Sequence, residues 1–239
     1  MQYFGGKSRL AVDIASQINK LIAPRQTFVD MFCGSCNVIS QVDNNRVRIA
    51  NDKHPYLIAM FKALQEGWIP PDEISKDQYF HTKQNQETMP HLAGFVGFGC
   101  SYAGKWWGGY AYDNVEKKNY AAIAQRSLLR KIKLLGDVKF SSKDYTEMEI
   151  PDNSFIYCDI PYKNTTQYNK KILGVFDHYA FHIWVRSLID KGHTVYISEY
   201  KYNLPHDAVM VWEKSSIKKI RDRNNIPTET TEVLYTLKQ

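Results

Sequence analysis

Seven short runs of β-branched and aromatic residues, separated by longer stretches of helical pattern, constrain this chain more than any other feature of its sequence. The runs are residues 27–32 (TFVDMF), 46–51 (RVRIAN), 137–141 (DVKFS), 154–158 (SFIYC), 194–199 (TVYISE), 208–213 (AVMVWE) and 231–237 (TEVLYTL). Their composition and polar or Gly borders predict strands. Helical patterns occupy 8–22, about 36–42, 55–66, 119–135 and 177–191; in the last, Phe181, Trp184, Val185 and Leu188 recur along one helix face. Such alternation predicts an α/β fold, a mainly parallel sheet covered by helices on both faces. No helical pattern separates the last two runs, which predicts an antiparallel terminal hairpin.

Residues 67–118 break the rhythm with Pro70-Pro71, Pro90, the stretch Gly94-Phe95-Val96-Gly97-Phe98-Gly99 and the segment Tyr102 to Tyr110. Some fifty residues exceed an ordinary loop, so a small subdomain is expected here. With the helix that follows, it spans 67–136 and leaves 1–66 and 137–239 as the main domain.

With 44% hydrophobic and 23% charged residues the chain can bury a sizeable core, which excludes intrinsic disorder. No apolar stretch approaches the roughly 18 to 20 residues that span a bilayer, and the N-terminal residues lack a signal-peptide core, so a soluble cytoplasmic protein is expected. The 31 Lys and Arg against 25 Asp and Glu leave +6, which permits a polyanionic partner without requiring one. Cys33-Gly34-Ser35-Cys36 has the spacing of half a zinc or redox site, yet no second ligand pair accompanies it; small residues packed in a tight turn are expected, and no metal. His178 and His182 stand four apart, but the intervening residues lack the Glu of a metalloprotease helix and no third ligand is evident.

In an open parallel sheet, ligands bind beyond the carboxyl ends of the strands. The first predicted strand ends in Asp30-Met31-Phe32-Cys33-Gly34-Ser35, where Gly permits a sharp turn and a close ligand. The second ends in Asn51-Asp52, with Asp52 18 residues after Gly34, about where nucleotide-binding folds place the carboxylate for ribose hydroxyls. There is no G-x-G-x-x-G, which disfavours a dinucleotide. Gly5-Gly6-Lys7-Ser8 is not a P-loop, because its first Gly falls at Met1 and no strand precedes it; a turn capping the next helix and a loop folding over the cofactor both remain open. After the third strand, Asp144 is either an adenine-amine acceptor or a turn residue.

The fourth strand runs into Asp159-Ile160-Pro161-Tyr162. Here a carboxylate, main-chain carbonyls and an aromatic ring meet at a Pro-stiffened turn. Hydrogen bonds from an aromatic amine to Asp159 and a carbonyl would free the nitrogen lone pair, and Tyr162 would stack on a flipped-out base. Such a nucleophile attacks a sulfonium-borne methyl group, given orientation and electrostatic preorganisation.

These residues resemble the Dam-like adenine-specific DNA methyltransferase family, in the motif order of its α group, over nearly the whole chain. Tyr3-Phe4-Gly5-Gly6-Lys7 is similar to the family's N-terminal motif, Phe32-Cys33-Gly34-Ser35-Cys36 to its F-x-G-x-G turn, and Asp159-Ile160-Pro161-Tyr162 to its D-P-P-Y motif. The resemblance implies a class I methyltransferase (Rossmann-like) fold, S-adenosylmethionine as cofactor, double-stranded DNA as partner, an expected monomer and the cytoplasm of a bacterial or virus-infected cell. It implies Tyr3, Lys7, Asp30, Phe32, Gly34, Asp52, Asp144 and Asp159 as cofactor-binding residues, and 67–136 as a target-recognition subdomain.

The sequence departs from the family at Cys36, where Gly is usual, and at Ile160, where the first Pro stands; residue 160 keeps its carbonyl, and Pro161 still biases it toward an extended conformation. Lys163-Asn164-Thr165-Thr166-Gln167-Tyr168, followed by Phe176-Asp177-His178, resembles the loop that closes on the flipped base. Lys214, Lys218, Lys219, Arg221 and Arg223 are expected in a long hairpin loop on DNA phosphates, and Lys105 and Trp106, with Trp107 and Tyr110, either against the duplex or in a core. Three alternatives remain: methylation of a cytosine amine, a DNA-binding relative of weak catalysis, and a nicotinamide oxidoreductase.

Overall fold

The computed structural model describes residues 1–113, 115–163, 173–221 and 227–238, with the backbone alone for 216–221 and 227–229. Seven strands form one sheet: β1 (Phe28–Asp30), β2 (Arg48–Asn51), β3 (Lys139–Ser141), β4 (Phe155–Asp159), β5 (Thr194–Tyr200), β6 (Ala208–Arg221) and β7 (Pro227–Leu237). Their order is β3-β2-β1-β4-β5-β7-β6, parallel from β3 to β5, with β7 antiparallel between β5 and β6. The order reverses between β1 and β4, the switch point at which such sheets leave a crevice.

β1 is buried along its whole length, as a central parallel strand must be. One face of the sheet carries α1 (Ala11–Leu21), α2 (Pro55–Gln65), α3 (Lys76–Gln84), α4 (Pro90–Gly94) and α5 (Tyr120–Ile132); the other carries α6 (His178–Asp190). α1 buries Ile14, Ala15 and Ile18; α6 buries Phe181, Val185 and Leu188, the apolar face its sequence predicts. Side chains close the helix starts: Ser75 and Gln78 form a capping box on α3, Asn119 accepts from the Ala122 N–H on α5, and Asp177 accepts from Tyr179 and Ala180 on α6. The buried residues of 67–136, among them Tyr79, Phe95, Phe98, Ala124 and Leu128, join the cluster of α1, α2 and the sheet.

Two local expectations are corrected. Residues 36–42 hold a single 3-10 turn, Ile39–Gln41, rather than a helix. Gly34 and Cys36 both adopt left-handed φ, +48° and +57°, which delays any helix, and the Arg48 guanidinium takes the Ile39 and Val42 carbonyls at 3.1 and 3.0 Å, which ends it. The left-handed Cys36 also shows why Gly suits that place. Second, Lys214, Lys218, Lys219 and Arg221 fall on strand β6, not in a loop, because β6 and β7 stay paired from Ala208↔Leu237 to Arg221↔Pro227. Arg223 lies outside the described residues, as do Asn164 to Tyr168, and the side chains of Lys218, Lys219 and Arg221 lie outside them too. β5 pairs with β7 only between Ile197↔Tyr235 and Tyr200↔Glu232, so the outer part of the β6–β7 ribbon runs beyond the carboxyl end of β5.

Candidate active site

A cavity of about 790 Å³ opens at the carboxyl ends of β1 to β5. Tyr3, Lys7, Asp30, Phe32, Gly34, Asp52, Asp144, Asp159, Ile160, Pro161, Tyr162, Lys105 and Trp106 all line it, whereas Trp107, Tyr110, Lys163 and His178 do not.

The wall is built from the β1 turn. Gly34 holds the left-handed conformation, and a Cβ there would stand 3.0 Å from the Tyr3 ring, so only glycine lets the N-terminal segment lie against the turn. Both oxygens of Asp52 accept backbone N–H groups, from Gly34 and His54, each at 2.9 Å. Burial raises its carboxyl above the usual range against the pull of those two bonds. Asp30, at the end of β1, is 1% exposed, and its Oδ1 has no hydrogen-bond partner among the described residues. Burial, then the charges of Asp159 and Asp52, push its carboxyl well up. Phe32, Tyr145 and Phe176 meet with ring centroids 5.7 to 6.0 Å apart and form an apolar wall. Asp144 caps the turn Tyr145–Glu147, accepting from Thr146, and pairs with Lys53 at 3.0 Å. Burial raises its carboxyl, but Thr146 and Lys53 outweigh that and hold it below the usual range. It is thus a turn residue at the cavity wall.

The far side is an ionic cluster. Lys7 Nζ stands 2.7 Å from Asp159 Oδ1 and 3.3 Å from Glu232 Oε1, and 4.2 Å from the centroid of the Tyr162 ring. The Tyr162 hydroxyl donates to Glu232, and its ring meets Tyr200 edge-on at 4.5 Å. Burial pushes both carboxyls up, and the Lys7 ammonium opposes it. The Tyr162 turn is clamped as well: Glu199 accepts from the Lys163 N–H at 3.1 Å, Asn203 donates to the Lys163 carbonyl at 3.1 Å, and His178 Nε2 lies 2.8 Å from the Pro161 carbonyl. Ile160 is 3% exposed and packs with Phe181 and Val185 under α6, so its side chain fills the core that supports the turn.

Glu232, Glu199 and Asn203 escaped the sequence reading. The signal was a Glu inside each of two buried strands, at 199 and 232, where a charge is rarely placed without a partner. Trp106 stacks on Tyr56 at 5.2 Å and lies over Gly97, where a Cβ would stand 2.3 Å from its ring; Trp107 donates from Nε1 to Gln86 at 2.9 Å. Trp107 packs against Tyr79 within 67–136, whereas Trp106 reaches out of that segment to Tyr56 and His54 and shows one side to the cavity. All four cysteines are buried thiols, His182 bonds the His178 carbonyl and the Tyr235 hydroxyl, and no group of metal-ligating side chains is found among the described residues. No helix among them is long and apolar enough to cross a membrane.

Known proteins resemble the chain in part. It is 24% identical over 218 residues, 74% of its length, to the type II methyltransferase M.FokI of Planomicrobium okeanokoites; the match spans 33% of that protein, so the chain corresponds to about a third of this relative. The rRNA methyltransferase aviRa of Streptomyces viridochromogenes superposes over 98% of this chain and 86% of its own, with a TM-score of 0.44 and 15% identity. The family model of the D12 class N6 adenine-specific DNA methyltransferases matches residues 3–96, which carry the N-terminal Gly-Gly-Lys motif, the Gly34 turn and Asp52.

Proposed function

We propose that the chain transfers a methyl group from S-adenosylmethionine to the exocyclic amino nitrogen of adenine in duplex DNA, with the base flipped into the cavity. The observation that carries this reading is the placement of Asp159-Ile160-Pro161-Tyr162 and Asp52 on one cavity at the switch point. The residues fit the cofactor. Asp30 keeps an unspent buried acceptor, and four carboxylates, Asp30, Asp52, Asp144 and Asp159, line a cavity that suits a ligand with a cationic end. When bound, the cofactor supplies a methyl group on an electrophilic sulfonium.

The chain's part is to hold and polarise. Asp52 would accept from ribose hydroxyls on the lone pairs its two backbone donors leave, Phe32 and Tyr145 would hold the adenine end, and Asp30 would hold the ammonium end. Asp159 and the residue-160 carbonyl accept the two N–H groups of the target amine and leave its lone pair toward the methyl group; Tyr162 contacts the base. Asp159 is then placed to take the proton that the methylated nitrogen gives up. DNA lies across the mouth, met by Lys105 at the cavity and by the ribbon that runs beyond the end of β5, whose strand β6 carries Lys218, Lys219 and Arg221. Recognition of the target sequence is assigned to the insertion, and the cytoplasm is the compartment in which such DNA is met.

Incubation of the chain with methyl-labelled S-adenosylmethionine and methylation-free genomic DNA should place label on adenine, shown by nucleoside analysis. Label on cytosine would refute the base assignment. Asp159→Ala should abolish transfer while leaving a folded protein with a cooperative melt; undiminished transfer would refute the role of Asp159.

A further inference from the structure

We propose that Glu232 is a positioning residue for the transfer: it offers the Lys7 ammonium a second seat, so that Lys7 can leave Asp159 when the target amine arrives, and it holds the Tyr162 hydroxyl. This rests on the adenine-amine reading of the cavity.

Glu232 enters the site from the C-terminal hairpin, on a strand that otherwise buries Val233, Leu234, Tyr235 and Leu237. It is 4% exposed, and a carboxylate so placed needs a counter-charge. Its neighbour in register on β6, Lys214, pairs instead with Asp13 at 2.6 Å, and its neighbour on β5 is Tyr200. The charge is met by Lys7, from the opposite end of the chain, 3.3 Å away.

The same ammonium stands 2.7 Å from Asp159 Oδ1, on the carboxylate that the adenine-amine reading gives the target amine as an acceptor. Lys7 and the amine therefore compete for one carboxylate. With both carboxylates within reach of one ammonium, Lys7 moves fully onto Glu232 by a small rotation of its side chain and stays paired while Asp159 is released. Without Glu232 it has no second seat, and Asp159 stays blocked. The charged and titratable groups facing Glu232 are Lys7 from the N-terminal segment, Tyr157, Asp159 and Tyr162 from β4 and its turn, Tyr200 from β5 and Lys214 from β6.

The test compares wild type, E232Q, K7Q and the double variant K7Q/E232Q in single-turnover methyl transfer to methylation-free genomic DNA across pH. E232Q is expected to lose about tenfold or more in rate, with the KM for DNA little changed. Its acid limb should move to lower pH, since one negative neighbour of Asp159 is gone. In the K7Q background, E232Q should cost nothing further, because the seat has no occupant and the Gln amide oxygen still accepts from the Tyr162 hydroxyl. A wild-type rate and acid limb in E232Q would overturn the proposal. So would a further tenfold loss in the double variant, which keeps Asp159 alone of the three charges and is read against K7Q, so that it serves where E232Q fails to fold. A wild type that labels no DNA would overturn the adenine reading itself; a wild type that labels DNA and an E232Q variant equal to it would overturn the role of Glu232 alone.

Discussion

Lys7→Met removes the ammonium that stands 2.7 Å from Asp159 and 3.3 Å from Glu232 while keeping most of the stem's volume. A pair of unit charges 2.7 Å apart attracts by roughly 6 kcal/mol at an effective dielectric of about 20, equivalent to about four pKa units. Shifts beside an opposite charge run lower in proteins, about one to three units, because water and neighbouring dipoles relax. Without Lys7 two buried carboxylates face each other, and burial already pushes both upward. Asp159 then holds a proton to higher pH, and a protonated carboxyl presents a donor where the amine needs an acceptor. The acid limb of kcat should rise by about one to three pH units, opposite in direction to E232Q. Stability gives an independent check. A carboxyl whose folded pKa lies above its unfolded value binds its proton more tightly in the folded state, so its contribution falls as pH rises. Lys7→Met should therefore lose more of its melting temperature at about pH 8 than at about pH 5, relative to wild type. The assay is methyl transfer at saturating DNA across pH, beside thermal melts at both ends. An unchanged acid limb with a wild-type melt at both values would refute the electrostatic reasoning.

Arg48→Met should cost about 3 to 5 kcal/mol in urea unfolding, since it strips partners from the buried Ile39 and Val42 carbonyls and from the part-buried Leu134 carbonyl; a loss below about 1 kcal/mol would contradict it. Asp30→Asn should weaken S-adenosylmethionine binding by about tenfold to a hundredfold in calorimetry, because a charge-assisted hydrogen bond contributes about 1.5 to 3 kcal/mol; an unchanged Kd would remove Asp30 from the cofactor site. Cys36→Gly relieves a left-handed residue by about 1 to 2 kcal/mol but loses a buried side chain and stiffness of the unfolded chain, so stability should stay within about 1 kcal/mol of wild type with methyl transfer intact. A larger loss in the melt, or a loss of transfer, would show that the Cys36 side chain does more than fill the turn.

The element types were legible because periodicity reports burial directly. Phe181, Val185 and Leu188 could be assigned to one helix face, and the seven strand segments located, from residue spacing alone. Ends were less legible. The helix expected at 36–42 shrank to one turn because Arg48, a residue of the next strand, caps its carbonyls, and no local pattern announces a cap supplied from elsewhere. The loop expected at 214–223 proved to be largely strand, since pairing across the hairpin outweighs the charge of its residues.

The sequence by itself determined the chemical inventory of the cavity: Asp52 after Gly34, and Asp159-Ile160-Pro161-Tyr162 at a strand end, are local patterns, and local patterns specify local geometry. Only the tertiary structure decided which charges meet. Lys7 and Glu232 are 225 residues apart in sequence and 3.3 Å apart in space, brought together by the register Tyr200↔Glu232 and by an N-terminal segment laid against Gly34. Sequence spacing carries no record of such contacts, because the electrostatics of a site depend on distance through the folded interior rather than along the chain.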